Sequence, residues 1–450
     1  MRARARATAI LLLAALPGPA LAHAAERMVI QTLPTGWSIL GAGLVVLLTG
    51  LVALVPAPRF AVRDLGRLRL LPRAATGWIA TAGWAVLVAI GLWGSRDPFA
   101  NLMPMTLWVL VWVGLTLASL ALGDLWRPIQ PWYAPARALR RALGLRGGIG
   151  LSRLGHWPAV AGYLGFAWLE IVSLAPADPA GLARVVLLYW LAILALAVAE
   201  GEDWPDRGEA LSLCFALVST VAPLWRDGAA WRAGLPGARI VAQGPLPPSA
   251  AAFVTLVLAG VTFDGLAETF WWLARIGINP LEFPGRSAVT VVNTLGLLAV
   301  WAGCAASVGG AVAAGRALGA RGLPGAVILS FLPIAAGYHT AHYLVALLTQ
   351  GQYAISALND PLGRGWSLLG LPRHWERFGF LATRDGVTTV WALQVAAILG
   401  AHVLAVLLTL RLDRETPPGR QKMLSHLPVT ILMVFYTALG LWLLSTPTGA

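Results

Sequence analysis

The sequence predicts an all-α fold: a polytopic integral membrane helix bundle. Three observations carry this reading. Of 450 residues, 58% are hydrophobic and only 12% charged; mean hydropathy is +0.72; and apolar windows of about 20 residues, enough to cross a bilayer, recur along the chain. A soluble domain carries about 25% charged residues, so composition alone sets this chain apart from that class.

The N-terminus reads as a cleavable signal peptide, 1–22. Arg2, Arg4 and Arg6 form a basic region, Ala9 to Leu16 a short apolar region, and Ala20-Leu21-Ala22 a cleavage site. Cleavage makes His23 the first residue of the mature chain, outside the cytoplasm. Spans then fall near 37–55, 76–94, 104–122, 157–175, 184–200, 250–274, 287–315, 326–349, 386–410 and 427–446, about ten in all. They group into an N-terminal bundle, 23–200, and a C-terminal bundle, 250–450, with about five spans each. The run 211–225 is apolar but short. Making it an eleventh span reverses every later loop, so 201–249 is read as a cytoplasmic segment with a re-entrant or surface helix.

The charge pattern decides the orientation and excludes one class of partner. The net charge of +13 comes almost wholly from arginine, with Lys422 the only lysine. Loops after the first, third, seventh and ninth spans hold Arg59 to Arg73, Arg127 to Arg153, Arg316 with Arg321, and Arg411 to Lys422. Such loops face the cytoplasm. The basic charge therefore belongs to membrane topology and not to nucleic acid. It places the chain in a membrane, with the bilayer as partner and both mature termini on the side away from the cytoplasm. Cys214 and Cys304 offer no disulfide framework.

Two spans carry ionisable pairs one turn apart: Asp264 with Glu268, and His339 with His342. Such a residue in a span costs roughly 2.5–3.5 kcal/mol on insertion scales and faces a partner, a cavity or a substrate. Counted from the inner ends at Ala250 and Ala326, both pairs lie at one level in the outer half of the membrane. Imidazole nitrogens with carboxylate oxygens are the ligand set of Zn, Mn or Fe. The residues alone leave three readings open: metal ligation, a proton or ion relay, and a structural polar network completed by Tyr338 and Tyr343. His23, with its free amine, adds a copper-chelating group to the metal reading. Arg286, after the stiff turn NPLEFPG, either holds an anionic group or pairs with Glu282 at the interface.

The strings FDGLAETFWW, NPLEFPGRSAV, YHTAHYL, GQYAISALNDPLGRGW and GLWLLSTP resemble a family of bacterial polytopic membrane proteins labelled fenitrothion hydrolase. The resemblance implies hydrolysis of an organophosphate triester, a small apolar phosphoester that can arrive through the membrane. It fits a metal-dependent hydrolase with His339, His342, Asp264 and Glu268 as ligands or base, and Arg286 on the phosphoryl oxygen. Two other functions fit the same residues: copper or zinc handling or transport, and a non-catalytic membrane assembly factor with a buried polar network.

Overall fold

The computed structural model describes residues 35–68, 71–282, 284–372 and 374–447. The signal-peptide segment and His23 lie outside the described residues. The fold is 72% helical. The helices are α1 (Thr35–Thr49, continued by a 3₁₀ turn to Leu54), α2 (Arg73–Trp93), α3 (Leu102–Leu122), α4 (Tyr133–Ala142), α5 (Trp157–Ile171), α6 (Pro179–Glu200) and α7 (Ala210–Val218). After them come α8 (Pro248–Ala267), α9 (Phe270–Arg275), α10 (Arg286–Ala317), α11 (Pro324–Asn359), α12 (Arg384–Leu412) and α13 (Arg420–Ser445).

Nine of these helices, among the described residues, are long and apolar enough to cross a membrane. The tenth expected span, 157–175, is the correction. It forms the 15-residue α5, with proline in its first turn and an end at Ile171. At 1.5 Å per residue α5 is about 22 Å long, short of a hydrocarbon core of about 30 Å. It still joins the two faces of the bundle. At its start the His156 N–H donates to Ser249 Oγ in the first turn of α8, and at its end Arg286 of α10 donates to the carbonyls of Glu170, Ile171 and Ser173.

The basic loops do gather on one face. There β1 (Val62–Arg67), β2 (Leu224–Asp227) and β3 (Ala230–Gly234) form an antiparallel sheet in the order β1-β3-β2. The Gly419 N–H donates to the Ala53 carbonyl, Arg321 N–H to Thr416 Oγ1, and Arg73 to Asp203 and Asp206. The sheet ties the loop after α1 to the segment after α7, a long-range pairing that periodicity did not announce. Segment 201–249 leaves and rejoins this face, and its helix α7 packs into the bundle, with all of its side chains except Ala216 buried. Its N-terminal N–H groups find an acceptor in Glu209, bonded to Leu211 N (2.9 Å) and Ser212 N (2.7 Å).

The core is organised around α8, buried over 78% of its apolar window where every other candidate span reaches 50% or less. It packs against α5, α10 and α11. Two glycines permit close approaches around α11. A Cβ at Gly265 of α8 would collide with the Tyr338 hydroxyl of α11, and one at Gly337 of α11 with Ala401 of α12. The absence of side chains there is what lets α11 lie close to both neighbours.

Candidate functional site

The close approach at Gly265 brings the two ionisable pairs together at the level the residue count predicts, but only one residue of each pair meets the other helix. His342 Nε2 lies 2.8 Å from Asp264 Oδ2. Glu268 is the residue after α8, half exposed, with its carboxylate 3.9 Å from Arg286 Nη2. His339 turns toward α3 instead. Its ring meets Trp112 edge-on at 4.8 Å and packs on Tyr343 at 4.7 Å, and it is 4% exposed.

A third carboxylate completes the cluster. Glu170, in the last turn of α5, accepts a hydrogen bond from the Tyr343 hydroxyl at 2.9 Å. The same hydroxyl lies 2.7 Å from Asp264 Oδ2. The result is a continuous chain, Glu170–Tyr343–Asp264–His342. A tyrosine hydroxyl has one proton to donate, which two acceptors share in a three-centre bond unless one carboxyl group carries a proton of its own. Such an arrangement can pass a proton between Glu170 and Asp264 through Tyr343. Sequence reasoning passed over Glu170, although it is the lone acid between Trp157 and Leu174. The cost argument that singled out Asp264 applies to it equally.

Arg286 anchors this arrangement from the end of α5. Its Nη1 donates to the carbonyls of Glu170 (2.9 Å), Ser173 (3.2 Å) and Ile171 (3.3 Å). These are carbonyl groups at a helix C-terminus, where a cation is favoured. Its acidic neighbour is Glu268 rather than the expected Glu282, which is exposed in the turn before α10.

A cavity of about 320 Å³ opens beside Glu170, lined also by Arg286, Tyr343, Trp108, Trp112 and Gln350. Pro98, Phe99, Pro176 and Ala177 from loops opposite the basic face form its rim. Trp108 and Trp112 come from Met105–Leu115, which winds as π-helix inside α3, a conformation frequent at functional sites. Three buried polar atoms near the cluster have no hydrogen-bond partner among the described residues: Trp112 Nε1, His339 Nε2 and the Tyr338 hydroxyl. Such atoms are costly unless something binds them. Behind the cavity, His342 keeps a quarter of its side chain accessible.

The expected metal set does not assemble. Among the described residues no three His, Cys, Asp or Glu side chains are grouped so as to hold a metal ion. Asp264 is engaged by His342 and Tyr343, Glu268 faces Arg286, and His339 points at an indole. A shared ion needs donors converging within about 2.0–2.2 Å of one point. Other polar residues near this face have their own partners: Asn293 accepts from Trp272, and Gln394 donates to the Ala341 carbonyl. His426 is buried against Asp413 on the basic face, away from this cluster.

Comparison with protein-family models, curated proteins and solved structures finds no match to this chain. Function therefore rests on the site.

Proposed function

We propose that this chain is a membrane-embedded acid–base site that exchanges a proton with a small ligand in the Glu170 cavity. The observation that carries the reading is the Tyr343 hydroxyl, bonded at once to Glu170 and Asp264. Glu170 stands at the cavity wall and acts on the ligand. Tyr343 passes the change in protonation to Asp264, and His342 shares it at the far end. Spreading one charge over four groups lowers the cost of forming it in a dry site. Arg286 holds the end of α5, and so Glu170, in place.

Hydrolysis of a phosphotriester, implied by the motif resemblance, fits this site as general-base chemistry. Glu170, as carboxylate, would take a proton from a water in the cavity as the water oxygen bonds to phosphorus. The phosphorus–oxygen bond to one ester group breaks, and the departing alkoxide takes up the proton to leave as the alcohol beside a phosphodiester. This version needs no metal from His339, His342, Asp264 and Glu268, whose arrangement does not suit one. The basic face, by the positive-inside bias, belongs in the cytoplasm of a bacterial cell. The cavity then opens to the periplasm, on the side where the Phe270 N–H at the start of α9 donates to the Pro447 carbonyl.

Infrared spectroscopy of the full chain in lipid nanodiscs tests the reading. The wild type should show a protonated-carboxyl band that titrates and disappears in Glu170→Gln. Turnover of a chromogenic phosphotriester, where present, should fall about 100-fold in the same variant. A carboxyl spectrum unchanged by Glu170→Gln at every pH overturns the proposal.

A further inference from the structure

A second cavity, about 410 Å³, lies between α5 and α6. These helices are consecutive and antiparallel, yet they make little direct contact. Gly162, Gly165 and Trp168 line it from α5, and Val185, Val186 and Tyr189 from α6. It extends over about two helical turns, roughly 11 Å, along the direction of lipid chains. Its mouth is apolar and outward: Trp168 and Val185 are exposed there, and Leu188 and Leu191 continue the exposed flank of α6.

The lining is aromatic, with five tryptophans, and offers a polar ligand little to hold. The indole N–H groups of Trp126, Trp132, Trp168 and Trp190 donate to Ser212, to the Trp190 carbonyl, to Thr294 and to the Pro131 carbonyl. The Tyr189 hydroxyl donates to Glu209 at 2.6 Å. A ligand here makes apolar contact and arrives from the bilayer.

A short aromatic partition, Phe166 against Trp108 and Trp112, separates this cavity from the acid–base site. Phe166 lines it, and its other side meets Trp108 at 5.5 Å and Trp112 at 4.8 Å, both in the wall of the Glu170 cavity. Phe166 and Glu170 are four residues apart on α5 and share one face. We propose that the α5–α6 cavity binds the hydrocarbon chain of a membrane amphiphile, whose polar end reaches Glu170 past Phe166. The placing of the polar end rests on the acid–base reading above. The substrate class is then a single-chain lipid-like molecule drawn laterally from the membrane.

Photolabelling with diazirine-bearing palmitic acid tests this on the full chain in nanodiscs, with adducts mapped by mass spectrometry. Adducts should fall on peptides holding Leu169 and Val186, and unlabelled palmitate should compete them away. A side chain at Gly165 meets nothing within 4 Å. Gly165→Phe should therefore plug the cavity and cut labelling severalfold, while Gly165→Ala keeps it. Val186→Trp closes the opposite wall should Gly165→Phe not fold. Labelling that palmitate does not compete, at the level seen on exposed Val291 and Leu295 of α10, overturns the proposal. So does labelling that persists in both plugged variants. The adducts report occupancy alone, and the acid–base reading is judged separately by the infrared band of Glu170.

Discussion

Tyr343 places its hydroxyl 2.9 Å from Glu170, although 173 residues separate them in the chain. The contact joins α11 to α5 and links two partly buried acids through one hydroxyl. Tyr343→Phe keeps the ring against His339 and Trp112 but leaves Glu170 and Asp264 without their common donor. The variant should fold, lose about 1 kcal/mol of stability, and uncouple the titrations of the two acids. Infrared titration of the variant beside Asp264→Asn checks this; coupling that survives Tyr343→Phe would show another route.

The closeness of α8 and α11 depends on Gly265. Gly265→Ala drives a methyl into the Tyr338 hydroxyl, and α8 and α11 must separate or Tyr338 must move. Overpacking of this kind costs about 1–3 kcal/mol. The thermal midpoint in detergent should drop, and the Asp264–His342 contact should weaken. Tyr338→Phe in the same chain removes the colliding oxygen and should restore most of the loss. A double variant no better than the single one would place the strain elsewhere.

Much of this was legible in the sequence because bilayer thickness imposes a ruler. Counting residues from span ends put Asp264 level with His339 and Glu268 level with His342; the pairs do meet, but through Asp264 and His342, one turn off that match. The same ruler overcounted at 157–175, where α5 is held by Ser249 and Arg286 contacts rather than by length. The histidine pair was misread for a geometric reason. Residues three apart on an α-helix point roughly 60° away from each other, so His339 meets Trp112 while His342 meets Asp264. The partners of Tyr343, the π-helical turns of α3 and the sheet on the basic face are tertiary outcomes that no local pattern encodes.

Arg286 acts first as a helix cap. Its three carbonyl contacts fix the last turn of α5, which carries Glu170. Arg286→Gln should cost about 2 kcal/mol and disorder the Glu170 environment as well as the fold end. Arg286→Lys, with one ammonium for three acceptors, should recover part of the stability. Thermal unfolding of the three proteins ranks them, and a Lys variant equal to Gln would argue that guanidinium geometry rather than charge is needed.

Acid sensitivity should arise on the opposite, basic face. Asp413 follows α12 and is fully buried. Burial pushes its carboxyl upward, but hydrogen bonds from His426 (2.8 Å) and the Thr416 hydroxyl (2.6 Å) outweigh this and hold it at about 2, below the ordinary 3.8. With the folded value depressed, this stability is fully present above about pH 4 and is lost as pH falls through about 2, a contribution of about 2 kcal/mol. Thermal midpoints recorded across that window should fall in the wild type and stay flatter in Asp413→Asn.

The metal question has a direct measurement. A resident Zn, Mn or Fe on His339, His342, Asp264 and Glu268 would have to break the Asp264–His342 contact, turn His339 away from Trp112 and pull Glu268 from Arg286. Each move removes a formed interaction, and the ion must offset them all. Elemental analysis of purified protein should therefore find these metals well below one per chain, with no change in His339→Ala. Copper on the expected mature amine of His23 has its own test, loss of the metal on blocking that amine. One equivalent of Zn, Mn or Fe that disappears with His339→Ala would instead mean that the four side chains regroup around the ion, and Tyr343 would then have to release Asp264 to allow it.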